Sequence, residues 1–188
     1  MRRGLTLACA VGALVTSGCG DGELAPKRGL PANTVLVTQK DIAKYPPASP
    51  QRTLMSWWRA MQYTDGRGYL ALLATPLRNA RQADRAYRVQ LPFIARQVDD
   101  AFPHITQVSI EDDAATVYTE LEFRQLVGAN EYATTRVAQA FSLVRENGFW
   151  RIADDLFVEA GVLEQLRAMA QADAKAGVRA PATTTPAP

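Results

Sequence analysis
One histidine and two cysteines stand among these 188 residues, and that scarcity closes off several chemistries. Zinc draws its ligands mainly from Cys and His, usually four together, so no zinc centre is expected. Asp112-Asp113 has too few oxygen ligands nearby for calcium. A disulfide framework is excluded as well, because Cys9 lies in a segment expected to be cut away, leaving Cys19 alone. The chain also lacks a G-x-S-x-G elbow and a phosphate-cradling Gly-rich loop. Its small excess of base, 21 Lys+Arg against 19 Asp+Glu, comes entirely from Arg2 and Arg3. Without them the charges balance, which argues against a nucleic-acid partner and against a polybasic membrane patch. Neither a metal nor a cofactor is implied.

What is present begins at the N-terminus. Arg2 and Arg3 form a positive head, and Gly4 to Val15 is an uncharged apolar stretch. A bilayer-spanning helix needs about 20 apolar residues, so this stretch fits an export signal better than a membrane span. Val15-Thr16-Ser17-Gly18-Cys19 resembles the bacterial lipobox, with Thr16 where that motif most often has Leu. The resemblance implies cleavage before Cys19 and lipid on its thiol. Residues 1–18 are then a lipoprotein signal peptide, and the mature chain is held to a cell membrane on the extracytoplasmic side. Each buried methylene of the lipid contributes about 0.8 kcal/mol, so two or more acyl chains anchor stably. The arginine pair leaves both the general and the twin-arginine export routes open.

Residues 19–48 carry Pro26, Pro31, Pro46 and Pro47 with scattered glycine and read as a tether, with Thr34 to Val37 a short strand candidate within it. Residues 176–188, rich in Ala, Pro and Thr, read as a disordered tail. Residues 49–175 are left as one domain.

Within that domain, Ser49-Pro50 is a helix start, a capping residue followed by proline at the first helical position. Leu54, Trp57, Trp58 and Met61 follow at i, i+3, i+4 and i+7, one apolar stripe. Asp65-Gly66 breaks this helix. A short second helix carries Tyr69, Leu70, Leu72 and Leu73, residues 77–90 are expected to be helical, and Pro92 restarts a helix through Ile94, Val98, Ala101 and Phe102, stopped by Pro103. After Pro103 the apolar period changes from 3.6 to 2. Strands are expected at His104–Glu111, Ala114–Gln125, Tyr132–Arg145 and Phe149–Val158, with turns at Asp112-Asp113 and Asn147-Gly148. Two-residue turns set Ile110 opposite Ala115, Val108 opposite Val117, Thr106 opposite Thr119 and His104 opposite Leu121. They likewise set Leu143 opposite Ile152, Phe141 opposite Asp154 and Gln139 opposite Leu156. An amphipathic helix with Val162, Leu166, Met169 and Ala170 on one side closes the domain. Helices followed by an antiparallel meander give an α+β fold.

The Trp57-Trp58 helix, the short Tyr69-Leu70-Ala71-Leu72-Leu73 helix and the closing run Gly148-Phe149-Trp150-Arg151-Ile152 together resemble the nuclear transport factor 2-like superfamily. That superfamily includes the SnoaL-like cyclases and ketosteroid isomerase. The resemblance spans about residues 50–158. It implies N-terminal helices packed in the concave face of a curved four-stranded antiparallel sheet, a cone, with Trp150 packed under the first helix. The C-terminal helix is an addition to that fold. No reaction follows, because the superfamily holds enzymes and non-catalytic domains.

In this register the inward face is apolar except for His104, Thr106, Thr119, Gln139 and Asp154. A buried carboxylate needs partners or a shifted pKa. Asp154 is therefore either a pocket acid or base acting with His104, or a group satisfied by Gln139 or the backbone; the second reading is the plainer. Thr119, Gln139, His104 and Trp57 complete the candidate pocket, Trp57 serving equally as helix core. No catalytic residue is assigned. The expected protein is a membrane-anchored lipoprotein whose cone binds a small apolar ligand or an envelope protein; a small pocket enzyme of isomerase or dehydratase type is the alternative.

Overall fold
A computed structural model of the chain describes residues 34–84, 92, 96, 98–126, 131–155, 168 and 172. Among the elements described in full, four helices, α1 (Gln39–Ala43), α2 (Pro50–Gln62), α3 (Gly66–Leu72) and α4 (Thr75–Ala83), precede four strands, β1 (Ala101–Glu111), β2 (Ala114–Leu126), β3 (Tyr132–Glu146) and β4 (Phe149–Ile152); residues 92, 96 and 98 are also helical. The strands form one antiparallel sheet in the order β1-β2-β3-β4. The fold is α+β. The signal segment, the loop at Gly128, the tail and all but two positions of the expected C-terminal helix lie outside the described residues.

Helix α2 starts where the sequence places it, with the Ser49 hydroxyl accepting from the Arg52 amide at 3.2 Å and Pro50 opening the first turn. Its stripe of Leu54, Trp57, Trp58 and Met61 is fully buried. The helix ends at Gln62, three residues before Asp65-Gly66. Thr64 takes a left-handed φ of 58°, and the Thr64 and Asp65 amides return to the carbonyls of Met61 and Ala60, the pattern that satisfies the last helical acceptors. Asp65 then caps α3 through the Gly68 amide at 2.9 Å. A side chain at Gly68 would meet that carboxylate and force it to shift.

The sheet face carrying Ala115, Val117, Leu121, Phe123, Phe141, Leu143 and Ile152 is buried in one core with α2. The β3–β4 turn has both Asn147 (φ 52°) and Gly148 (φ 82°) left-handed, the type I′ geometry that matches strand twist. It sets Leu143 opposite Ile152 as expected. The β1–β2 turn sets Ile110 opposite Ala115 and Val108 opposite Val117, also as expected.

Three expectations fail. Ala101 and Phe102 belong to β1, not to a helix, and Pro103 lies inside the strand instead of stopping a helix. The strand tolerates proline because β1 is an edge strand. The Arg124 amide donates to the Asp100 carbonyl, and counting by twos along the ladder turns position 103 away from β2, where no amide is needed. Second, a bulge between Ile105 and Gln107 sets Ile105 opposite Thr119 and His104 opposite Glu120. His104 and Thr106 therefore leave the inward face. Third, β4 ends at Ile152. Leu73 bridges Ile152 in parallel, and the Ala74 amide takes the Ile152 carbonyl. The end of α3 thus covers the free edge of β4, and pairing with β3 ends with the Ala153 amide donating to the Ser142 carbonyl at 2.9 Å, before Asp154.

The packed unit also begins earlier than residue 49. Val37 and Ile42 are buried in the core, and the Val35 amide donates to Asp99 at 2.8 Å. Gln62, fully buried, fixes this segment. Its Oε1 accepts from the Val37 amide at 2.9 Å, while its Nε2 donates to the carbonyls of Val35 and Val98 at 2.9 and 3.0 Å. Replacing it by Leu strands one amide and two carbonyls in the core. Gln62→Leu is expected to cost about 3 kcal/mol or more, read by denaturant unfolding, and to raise exchange of the Val37 amide.

Helix α4 takes its cap from a distant strand. Its own N-cap residue, Ala74, offers no side chain, and the Glu146 carboxylate at the end of β3 accepts instead from the Thr75 amide (2.9 Å) and hydroxyl (2.8 Å). These bonds, the backbone one foremost, hold the Glu146 carboxyl below the usual carboxylate range. A lowered folded pKa gives stability that is present above the unfolded value and lost as pH falls through the folded one. Glu146→Ala is expected to cost about 1 kcal/mol at pH 7. Melting curves of variant and parent should converge as the pH falls below the ordinary carboxylate range and through the lowered value of this group.

Candidate functional site
The expected pocket residues do not converge. Trp57 is fully buried, its ring 6.4 Å from Trp58, 5.8 Å from Tyr69 and 5.9 Å from Phe141. Phe141 also meets Trp58 edge to face at 6.2 Å, and Trp150 is buried beside them. Aromatic rings therefore fill the space between α2 and the middle of the sheet. Thr119 faces this interior as expected, but its hydroxyl donates to the Gln139 carbonyl at 3.0 Å, and the Gln139 amide turns to the Ala140 carbonyl.

The carboxylate aimed inward is Asp155, not Asp154. Asp155 is 2% exposed, whereas Asp154 is half-buried. One Asp155 oxygen accepts from the Tyr69 hydroxyl at 2.7 Å and from Arg81 Nε at 2.9 Å; the other accepts from an Arg81 terminal nitrogen at 2.7 Å. This bidentate fork ties α3 and α4 to the end of the sheet. Three of its acceptor positions are thereby used within the fold. It is a structural lock, and sequence reasoning missed it by one residue.

His104 lies on the opposite side, in a cleft of about 330 Å³ between α1 and the outer side of β1 that also includes Asp41, Lys44, Tyr45, Glu122 and Arg124. Its Nε2 is 3.0 Å from a Glu122 oxygen that also accepts from Arg136 at 3.0 Å. Arg136 reaches Glu120 at 3.3 Å, and Arg124 stands 3.8 Å from Glu122. Glu120 and Glu122 thus carry a charged network on the outer face of the sheet. Exposed pairs of this kind add little stability each. At the cleft's rim, burial raises the Asp41 carboxyl, but hydrogen bonds from Lys44 and Thr38 outweigh it and the net shift is downward. Burial pushes the Tyr45 hydroxyl up. Among the described residues, the large exposed apolar side chains are Ile110, Tyr118, Tyr132 and Phe149.

No group of His, Cys, Asp and Glu suited to a metal occurs among the described residues, and no helix among them is long and apolar enough to cross a membrane.

No family model matches the chain, and no curated protein does. Among solved structures, the chain is similar to a SEC-C motif containing protein from Rhodopseudomonas palustris, at 15% identity and a TM-score of 0.40, over 60% of this chain and 80% of that one. It is similar also to a protein of unknown function from Mycobacterium tuberculosis, at 19% identity and a TM-score of 0.39, over 65% of this chain and 86% of that one. Likenesses this weak carry no functional argument.

The two adjacent aspartates separate by experiment. Asp155→Asn breaks a buried, bidentate pair and is expected to cost about 3 kcal/mol or more. Asp154→Asn is expected to change stability by less than about 1 kcal/mol. Equal losses in chemical denaturation would refute the lock.

Proposed function
We propose that this chain is an envelope lipoprotein, anchored through lipid on Cys19, whose folded domain is a non-catalytic binding module of the nuclear transport factor 2-like kind. The observation that carries the non-catalytic part is the filled interior. An isomerase or dehydratase of this type needs a hollow with a carboxylate free to take a proton. Here Trp57, Trp58, Tyr69 and Phe141 occupy the middle, and Asp155 is consumed by Arg81 and Tyr69. An interior packed in this way leaves binding to the outside of the domain.

The anchor rests on the Arg2-Arg3 head, the apolar stretch and the small residues before Cys19. Because the chain is already packed from Val35 onward, the tether shortens to residues 20–33. Fourteen residues reach at most about 50 Å when fully extended, which bounds how far the domain can stand from the bilayer. Cys19→Ala is expected to move the protein from the membrane pellet to the soluble extracytoplasmic fraction. Retention of that variant in the pellet would sink the anchor.

A further inference from the structure
A second cleft, of about 290 Å³, lies between α1, α2 and α3, away from the His104 network. It is lined by Arg52, Ser56 and Arg59 of α2, Gln39 of α1 and Asp65 of α3. The three α2 residues are spaced i, i+4 and i+7, which puts them on one helix face. That face is opposite in chemistry to the tryptophan stripe. Two cations therefore share one hollow.

Arg59 is the unusual member. It is half-buried, and its Nε is shielded from solvent without a hydrogen-bond partner. Its guanidinium lies over the Tyr63 ring, 4.6 Å from the centroid, a contact that fixes the plane of the fork. It makes no hydrogen bond or ion pair with any described residue. Arg52 is little better served, with one long bond of 3.4 Å to the Tyr45 carbonyl. The single acid in the cleft, Asp65, is engaged with the Gly68 amide and ion-paired to neither arginine. The hollow is thus net positive, with one fork held rigid and lacking acceptors.

We propose that this cleft binds a phosphoryl group, gripped by Arg52 and Arg59. Guanidinium forks match phosphate oxygens two at a time. Two forks together with the Ser56 hydroxyl and the Gln39 amide supply more donors than the two oxygens of a carboxylate can use. The volume sits at the small end of ligand pockets, which suits a headgroup or a phosphomonoester. The same chemistry is offered by a soluble phosphorylated ligand and by an anionic phospholipid headgroup. This inference stands apart from the anchor and the family resemblance, and neither is needed for it.

The test uses the full chain carrying Cys19→Ala, so that acyl lipid plays no part. Inorganic phosphate is titrated calorimetrically, and flotation is measured with phosphatidic acid vesicles against pure phosphatidylcholine. Saturable phosphate binding is expected, weakened at least about tenfold by Arg59→Gln and by Arg52→Gln, and unchanged by Arg136→Gln on the outer sheet face. Flotation that depends on Arg59 and Arg52 identifies a lipid headgroup as the source; phosphate binding without flotation identifies a soluble ligand. If Arg59→Gln loses its folded circular dichroism, Arg52→Gln decides alone. The proposal is overturned if neither phosphate nor phosphatidic acid binds, if binding survives in the arginine variants, or if succinate competes as well as phosphate.

Discussion

The amide of Gln62 sets where three separate stretches of chain meet. It is enclosed at the end of α2 and holds Val35 and Val37 on one side and Val98 on the other. A buried amide is costly unless its donors and acceptor are used, and here the backbone of two unrelated segments uses them. The N-terminal segment is thereby held against α2, and α1 follows with Ile42 buried. Both clefts have α1 as a wall, so both exist because this amide is satisfied where it is. Trp58 adds to the arrangement, its indole donating to the Ala101 carbonyl at 3.1 Å and so fixing the start of β1 above the same helix.

At the far end of the helical layer, Asp155 performs the complementary task. Burying a carboxylate takes it from water at a cost that only close, well-directed partners offset. Arg81 supplies two bonds in a fork and Tyr69 a third. The Tyr69 ring packs against Trp57 while its hydroxyl reaches the carboxylate, so the polar lock and the aromatic filling share one side chain. The interior is closed for the same reason that the strand end is held.

The helix start at Ser49-Pro50, the tryptophan stripe and both hairpin turns were legible because each rests on local chemistry: a cap, a 3.6-residue period, and left-handed positions that Asn-Gly accepts. What the sequence hid depends on distant partners. The bulge at Thr106 turns on a hydroxyl bonded to the Tyr118 carbonyl across the sheet, and nothing near Thr106 announces it. That one extra residue moved His104 to the outer face. The inward carboxylate is Asp155 and not its neighbour because its partners, Tyr69 and Arg81, lie more than seventy residues upstream. Gln62 did leave a signal. It lies four residues after Trp58 on the buried stripe, and a polar residue there asks for partners that a free tether could not provide.

Asp155 and Arg59 make an instructive pair. Both are charged side chains drawn at least partly out of water on the helical layer. The protein fills the first completely, with an arginine and a tyrosine in bonding geometry. For the second it provides an aromatic ring that orients the guanidinium and no acceptor among the described residues. A fold able to satisfy Asp155 so fully has the means to supply a carboxylate to Arg59, and Asp65 in the same cleft is instead turned to cap α3. Gly68 makes that turn feasible, since any side chain there would displace the Asp65 carboxylate. The sequence at Asp65-Gly66-Arg67-Gly68 thus keeps the nearest acid occupied and leaves the arginine's donors available. Local stability alone would favour pairing the two charges. Their separation is the property that distinguishes a place for an outside anion from an internal ion pair.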